Sequence, residues 1–205
     1  MINANPEEPP RPEGLDLNTM APLIDTKDIY ENPINLTDLL KTYNGVMIDF
    51  FRGNWWSHCK KHLALLTEKI SEFEKRNIKL ISIASDSVRL LSKFKEENNF
   101  HIDMISDRGA KIAKLYHVYW YAPGGGKDYK IKQAVPSKFL INKDEKIVWK
   151  YVGKDKTDRP SIEMMTDVID KLIINPNKEW IKRIKRRRLR TTEQRFWDIF
   201  CLYFF

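Results

Sequence analysis

The sequence predicts an α/β protein: a central mixed sheet flanked by helices, followed by a basic, helical C-terminal tail. Three observations carry this. From residue 46 onward, short apolar runs of strand length alternate with amphipathic stretches of helical period. The last two apolar runs stand on either side of a three-residue turn, as the arms of a hairpin do. Nine of the 36 basic residues fall between positions 178 and 195, and the rest of the chain is close to neutral although the whole carries +8. With 205 residues, 42% of them hydrophobic, the chain has enough material for one sizeable core.

The first 14 residues contain four prolines and three glutamates and almost nothing to bury, so a flexible arm is expected there. The folded domain is expected over residues 15–175 and the tail over 176–205. Asn44-Gly45 signals a turn, and VMIDFF (46–51) behind it has the length and apolarity of a buried strand. After the turn at 52–54, Leu63, Leu66, Ile70 and Phe73 recur at three- and four-residue steps, which predicts an amphipathic helix over 58–75. IKLISIA (78–84) reads as a buried strand, and 87–98 as a helix turning Val88, Leu91 and Phe94 inward. A short strand over 102–106 leads to a helix over 110–116. Residues 117–134, with Gly124-Gly125-Gly126 at their centre, read as a long loop. SKFLIN (137–142) and KIVWKYVG (146–153) form the hairpin, turning at 143–145. A last amphipathic helix is expected over 161–173, with Pro160 before it and Asp158 as its cap. This order makes a sheet that is parallel first and antiparallel at its end.

Cys59 and Cys201 are the only cysteines, too few for a disulfide framework or a four-ligand zinc site. No metal and no cofactor is expected, and a reduced, cytoplasmic setting fits best. The N-terminus lacks the basic start and apolar stretch of a secretory signal, and no run approaches the roughly 20 apolar residues that cross a bilayer. Cys59 falls one turn into the helix after the first central strand, where unpaired backbone amides and the helix dipole favour an anion. Arg52, His58, Lys60 and Lys61 surround it in sequence, with no acid before Glu68. These neighbours favour a thiolate, the nucleophile that peroxide reduction needs. The competing reading is a buried structural cysteine.

FFRGNWWSHC (50–59) resembles the strand-to-helix signature of the alkyl hydroperoxide reductase and thiol-specific antioxidant family, in the subgroup that reads FYRGxWCPxC. Three further segments are similar to that family in the same order: MAPLIDT (20–26), VPSKFLINKDEKIVWKYVG (135–153) and DRPSIEMMTDVIDKL (158–172). The resemblance implies a thioredoxin-like fold over roughly residues 15–173 and a peroxiredoxin's activity. Cys59 falls on the peroxidatic cysteine, whose thiolate attacks a peroxide oxygen and becomes a sulfenic acid. Pro136 falls where thioredoxin folds place a cis-proline facing that cysteine, the alternative being a strand-edge proline. The implied partners are hydrogen peroxide or an organic hydroperoxide, an external thiol reductant of thioredoxin-like or low-molecular-weight kind, and a second copy of the chain.

Three positions depart from the family pattern. Trp56 stands where a threonine, or the subgroup's cysteine, is usual, and an indole offers one donor and much more bulk. Ser57 replaces the subgroup's proline and brings back a hydroxyl. No arginine lies within 133–138, where the family carries one. Lys138 is the nearest cation, and Arg52 or Arg108 are the candidate substitutes. Cys201, in FWDIFCLYFF, is either a resolving cysteine, within or between subunits, or an apolar residue among apolar neighbours. KRIKRRRLR (182–190) would attract phosphate groups of an anionic membrane surface or of nucleic acid, or form a solvated helix. Two classes of function follow: a thiol peroxidase acting through Cys59, with an external thiol as reductant, or a thioredoxin-fold binding module working through its tail. Dithiol exchange is disfavoured because Trp56 occupies the first position of a CxxC pair.

Overall fold

The computed structural model describes residues 12–120, 133–155 and 157–176. The basic tail, Cys201, Gly124-Gly125-Gly126 and most of the N-terminal arm lie outside the described residues.

A small hairpin of β1 (Asp25–Lys27) and β2 (Pro33–Asn35) leads into α1 (Leu36–Thr42). Then follow β3 (Gly45–Phe50), α2 (Ser57–Glu68), α3 (Ile70–Glu74), β4 (Ile78–Ala84), α4 (Val88–Glu97), β5 (Asp103–Ser106) and α5 (Lys111–Leu115). A short antiparallel pair, β6 (Tyr119–Trp120) and β7 (Gln133–Ala134), precedes β8 (Ser137–Asn142) and β9 (Ile147–Val152). The described chain closes with α6 (Ile162–Ile169), which runs into a π-helical turn, Asp170–Ile174.

The five long strands form one sheet in the order β5-β4-β3-β8-β9. β3, β4 and β5 run parallel, while β8 is antiparallel to β3 and β9 to β8. Every residue of β3 is buried, because this central strand is covered on both faces. Its side chains divide by parity. Val46, Ile48 and Phe50 join Ile81, Ile83, Phe139 and Tyr116 beneath α1 and α5. Met47 and Phe51 join Leu63, Leu66, Phe73, Leu91, Phe94, Met165 and Ile169 beneath α2, α3, α4 and α6. Asp49 shares the parity of Met47 and Phe51, so a carboxylate projects into the second core.

The mixed sheet, parallel first and antiparallel last, is as expected, and β4 and β8 have the expected bounds. Four local details differ. The helix expected over 58–75 is two pieces, interrupted at Lys69, which leaves the helical region at φ −102° and ψ 16°. The stretch expected to be loop carries the β6–β7 pair, whose two-residue strands are too short to show a period. The β1–β2 hairpin and α1 were not foreseen; α1 is started by Asn35, whose Oδ1 accepts the Asp38 N–H at 3.1 Å. The cap of α6 is Ser161 and not Asp158: the Ser161 hydroxyl oxygen accepts the Met164 N–H at 3.1 Å. Asp158 is occupied instead by Tyr151 and by the Lys154 N–H.

Pro136 is also corrected. No peptide bond among the described residues is cis. The bend that takes the chain from β7 into β8 is held by ordinary hydrogen bonds on either side. Val135 N–H donates to Val118 O at 2.8 Å, and Pro136 O accepts the Gly153 N–H at 2.9 Å. Pro136 is buried there.

Candidate functional site

The site forms where β3 ends and α2 begins. Between them, Gly53 sits at φ +152°, and a Cβ there would lie 2.6 Å from Trp55 Nε1 and 2.9 Å from Asp86 Oδ2, so only glycine fits. The Asn54 N–H donates to Asp86 Oδ2 at 2.8 Å, tying this turn to the loop after β4. Burial pushes the Asp86 carboxyl above its ordinary value, with the Asn54 bond opposing. Trp56 is the N-cap of α2, and no side chain caps it. Cys59 therefore lies in the first turn, its N–H donating to Trp56 O at 2.9 Å.

Cys59 is 1% exposed, on the inner face of α2 with His62, Leu63 and Leu66. It is packed in the core, and it also faces a cation. Arg159 Nη2 donates to Cys59 Sγ at 3.6 Å. Positive charge at that distance stabilises negative charge on the sulfur. Arg159 comes from the loop between β9 and α6, and that loop is tightly organised. Asp158 accepts from Tyr151 Oη and from the Lys154 N–H, and the Asp158 N–H donates to Asp155 Oδ1 at 2.9 Å. Arg159 Nη1 in turn donates to Asp158 O at 2.8 Å. The hydroxyl of Tyr151 is pushed up to about 12, by burial first and by Asp158 second.

The cations that flank Cys59 in sequence are not the ones that meet it. His58, Lys60 and Lys61 are exposed, as is Arg108. The His58 ring stacks on Trp56, centroids 5.7 Å apart. Arg52 is buried; its Nε donates to Gln133 Oε1 at 3.1 Å, and its guanidinium lies over the Trp55 and Trp56 rings at 5.2 and 4.7 Å. Ser57, the first residue of α2, is exposed. Sequence reasoning missed Arg159, because it looked for the arginine before the late strand and read DRP only as the start of the closing helix. An arginine next to a proline at a helix start was the available signal.

Buried polar groups also line the sheet across β3, β4 and β8. Lys138 on β8 is directly opposite Asp49 on β3, and Nζ donates to Asp49 Oδ1. Ser82 on β4 donates to Asp49 Oδ2 at 3.0 Å from the other side. Despite the cost of burial, Lys138 and the hydrogen bond from Ser82 hold the Asp49 carboxyl below its usual range. His62 stays neutral: burial, helped by Lys138 and Arg159, drops its pKa to about 3.

Comparison with known proteins decides the lineage. The model of the AhpC/TSA family matches residues 17–150. The chain belongs to the AhpC/TSA family. By family it is a peroxiredoxin-type oxidoreductase with a thioredoxin-like fold. Among relatives of the AhpC/TSA chain, the thiol-disulfide oxidoreductase ResA of Bacillus cereus is 24% identical over 148 residues, 72% of this chain and 76% of the relative. The putative peroxiredoxin bcp of Helicobacter pylori is 26% identical over 130 residues, 63% of this chain and 83% of the relative. Among solved structures, the yeast mitochondrial 1-Cys peroxiredoxin, described with a thiol resolving mechanism via glutathione/thioredoxin systems, superposes with a TM-score of 0.64. It is 23% identical, covering 77% of this chain and 76% of that one.

Proposed function

We propose that the protein is a thiol peroxidase in which Cys59 is the peroxidatic residue and an external thiol the reductant. The observation that carries this reading is the Arg159 guanidinium 3.6 Å from a cysteine sulfur in the first turn of α2. The sulfur attacks one peroxide oxygen as a thiolate; an S–O bond forms and the O–O bond breaks. The second oxygen leaves with the electron pair and takes a proton from water, giving water or an alcohol, while the sulfur is oxidised to sulfenic acid. One equivalent of external thiol then displaces water to make a mixed disulfide, and a second releases Cys59 reduced. Arg159 stabilises the charge that passes from sulfur to the departing oxygen. Trp56, packed on the second core, with Ser57, His58 and Arg52 beside it, forms the wall on the solvent side of the cysteine. Pro136 lies at the bend that leads into β8, the strand that carries Lys138.

The resemblance to ResA raises the alternative of dithiol exchange. Trp56, where the first cysteine of a CxxC pair would stand, favours the peroxidase instead. Cys201 as a resolving cysteine and the 182–190 run as an anionic contact lie outside the described residues. Among those residues no helix is long and apolar enough to cross a membrane.

The test is peroxide consumption with a thiol reductant in excess, comparing wild type, Cys59→Ser and Cys201→Ser. Turnover lost in Cys59→Ser and kept in Cys201→Ser is the expected result. Equal consumption by wild type and Cys59→Ser would overturn the reading.

A further inference from the structure

A groove opens beside the point where the described chain ends. Asn44, just before β3, lines it, whereas Cys59 follows the other end of that strand. Its volume is about 660 Å³, within the roughly 300–1,000 Å³ of pockets that enclose a bound molecule. One wall is the π-helical turn Asp170–Ile174, which presents Leu172, Ile173 and Ile174. The facing wall comes from the β8–β9 hairpin, with Val148 on β9 and Lys143, Asp144 and Lys146 at or beside the turn. Pro176, the last described residue, lies on the rim.

A wall of three consecutive apolar residues calls for a cover, because successive positions of a helix point to different sides and cannot all face the sheet. Ile173 packs against the second core, and Ile174 is left 39% exposed. The chain carries a segment that fits. FWDIFCLYFF (196–205), outside the described residues, has nine apolar or aromatic residues out of ten. Residues 177–195 separate it from the exit at Pro176, many more than the about 2–5 with which two helices reverse direction. Tethering at the rim gives the segment a local concentration on the order of 1 mM, which a second copy in dilute solution does not match. Charge selects the same occupant. Lys143 and Lys146 outweigh Asp144 on the groove, so the basic run KRIKRRRLR (182–190) is repelled, while the one charged residue in 196–205 is Asp198.

We propose that residues 196–205 fold back into the groove between the turn 170–174 and the β8–β9 hairpin, with aromatic side chains over Ile173 and Ile174 and Asp198 at the two lysines. The docking is independent of peroxide chemistry; its consequence for Cys201 rests on Cys59 as the reactive thiol. Arg159, which meets the Cys59 sulfur, stands just before α6, and Ile174 ends the helical run that follows. At 1.5 Å per residue the two ends of that run lie about 18 Å apart, and a disulfide needs Cα atoms within about 7 Å. Cys201 in the groove is therefore kept from Cys59 of its own chain, which leaves the sulfenic acid to an external thiol.

The test replaces Phe200 by p-benzoylphenylalanine in the full chain and maps the cross-links formed on irradiation, in a mixture of isotopically heavy and light protein. Cross-links within one chain to 143–148 or 172–176 are expected. No cross-link, cross-links elsewhere on the domain, or heavy–light products alone would overturn the inference, the last by assigning the segment to a second copy. Loss of the intrachain product when phosphatidylserine vesicles are added at low salt would overturn it too, by assigning the segment to an anionic membrane. Iodoacetamide alkylation of Cys201 in a Cys59→Ser background reads the magnitude. At a local concentration of about 1 mM and an affinity of about 0.1 mM, the segment is docked about nine-tenths of the time. Ile174→Asp puts an unpaired carboxylate on the groove wall and should speed the alkylation about tenfold; equal rates would refute the docking. The cross-link is read with the groove unaltered, so it decides the question even if Ile174→Asp does not fold. Neither outcome touches the comparison of wild type with Cys59→Ser that tests the peroxidase reading.

Discussion

Replacing Arg159 by methionine removes the guanidinium and keeps most of the side-chain bulk. At the 3.6 Å separation of Nη2 from Sγ, two unit charges in a medium of effective dielectric about 20 attract by roughly 5 kcal/mol. Reoriented solvent recovers part of that. The net loss should be about 3 kcal/mol, the scale of removing one donor from an oxyanion site, or roughly a hundredfold in rate. The assay is stopped-flow oxidation of the reduced protein by hydrogen peroxide, followed by the fluorescence of the indoles beside the site. Second-order constants are taken from pH 5 to pH 9, with circular dichroism to show that the variant is folded. Arg159→Lys should fall between the two, because it keeps a charge and loses the planar fork. A folded Arg159→Met whose constant stays within threefold of wild type at every pH would refute the assignment of this cation to the sulfur.

Tyr151→Phe removes the hydroxyl that braces Asp158 and so loosens the loop that presents Arg159. Loss of about one hydrogen bond's worth, roughly 1 kcal/mol, should lower the peroxide rate about fivefold, and an unchanged rate would show that the loop needs no brace. Gly53→Ala must move the indole of Trp55 and the carboxylate of Asp86 while holding φ +152°; a stability loss of about 2 kcal/mol is expected in denaturant titration. His62 supplies a pH signature. Its folded-state pKa of about 3 lies below the ordinary 6.5, so between those values the unfolded chain binds a proton that the folded chain refuses. Stability therefore falls as pH drops from 6.5 toward 3, by up to about 5 kcal/mol from this residue. His62→Gln should flatten that part of the stability-against-pH curve, and an identical slope would contradict a buried neutral imidazole.

The alternation of buried strands and amphipathic helices, the antiparallel end of the sheet and the place of Cys59 in the first turn of α2 can all be read from the sequence. These are legible because they depend on local periodicity and on turn chemistry, which neighbouring residues set. Its predictions failed where the deciding contact is distant in the chain. Lys60 and Lys61 are next to Cys59 in sequence yet point to solvent, whereas Arg159, a hundred residues away, reaches the sulfur. Lys138 was noted as a nearby cation, but only the register of β8 against β3 sets it opposite Asp49. Pro136 matched a motif whose cis bond this backbone does not use, since flanking hydrogen bonds already hold the bend. Local pattern chooses which face of each element is buried; only the packed tertiary structure decides which charges meet there, because that choice is made by strand order and loop path between segments far apart along the chain.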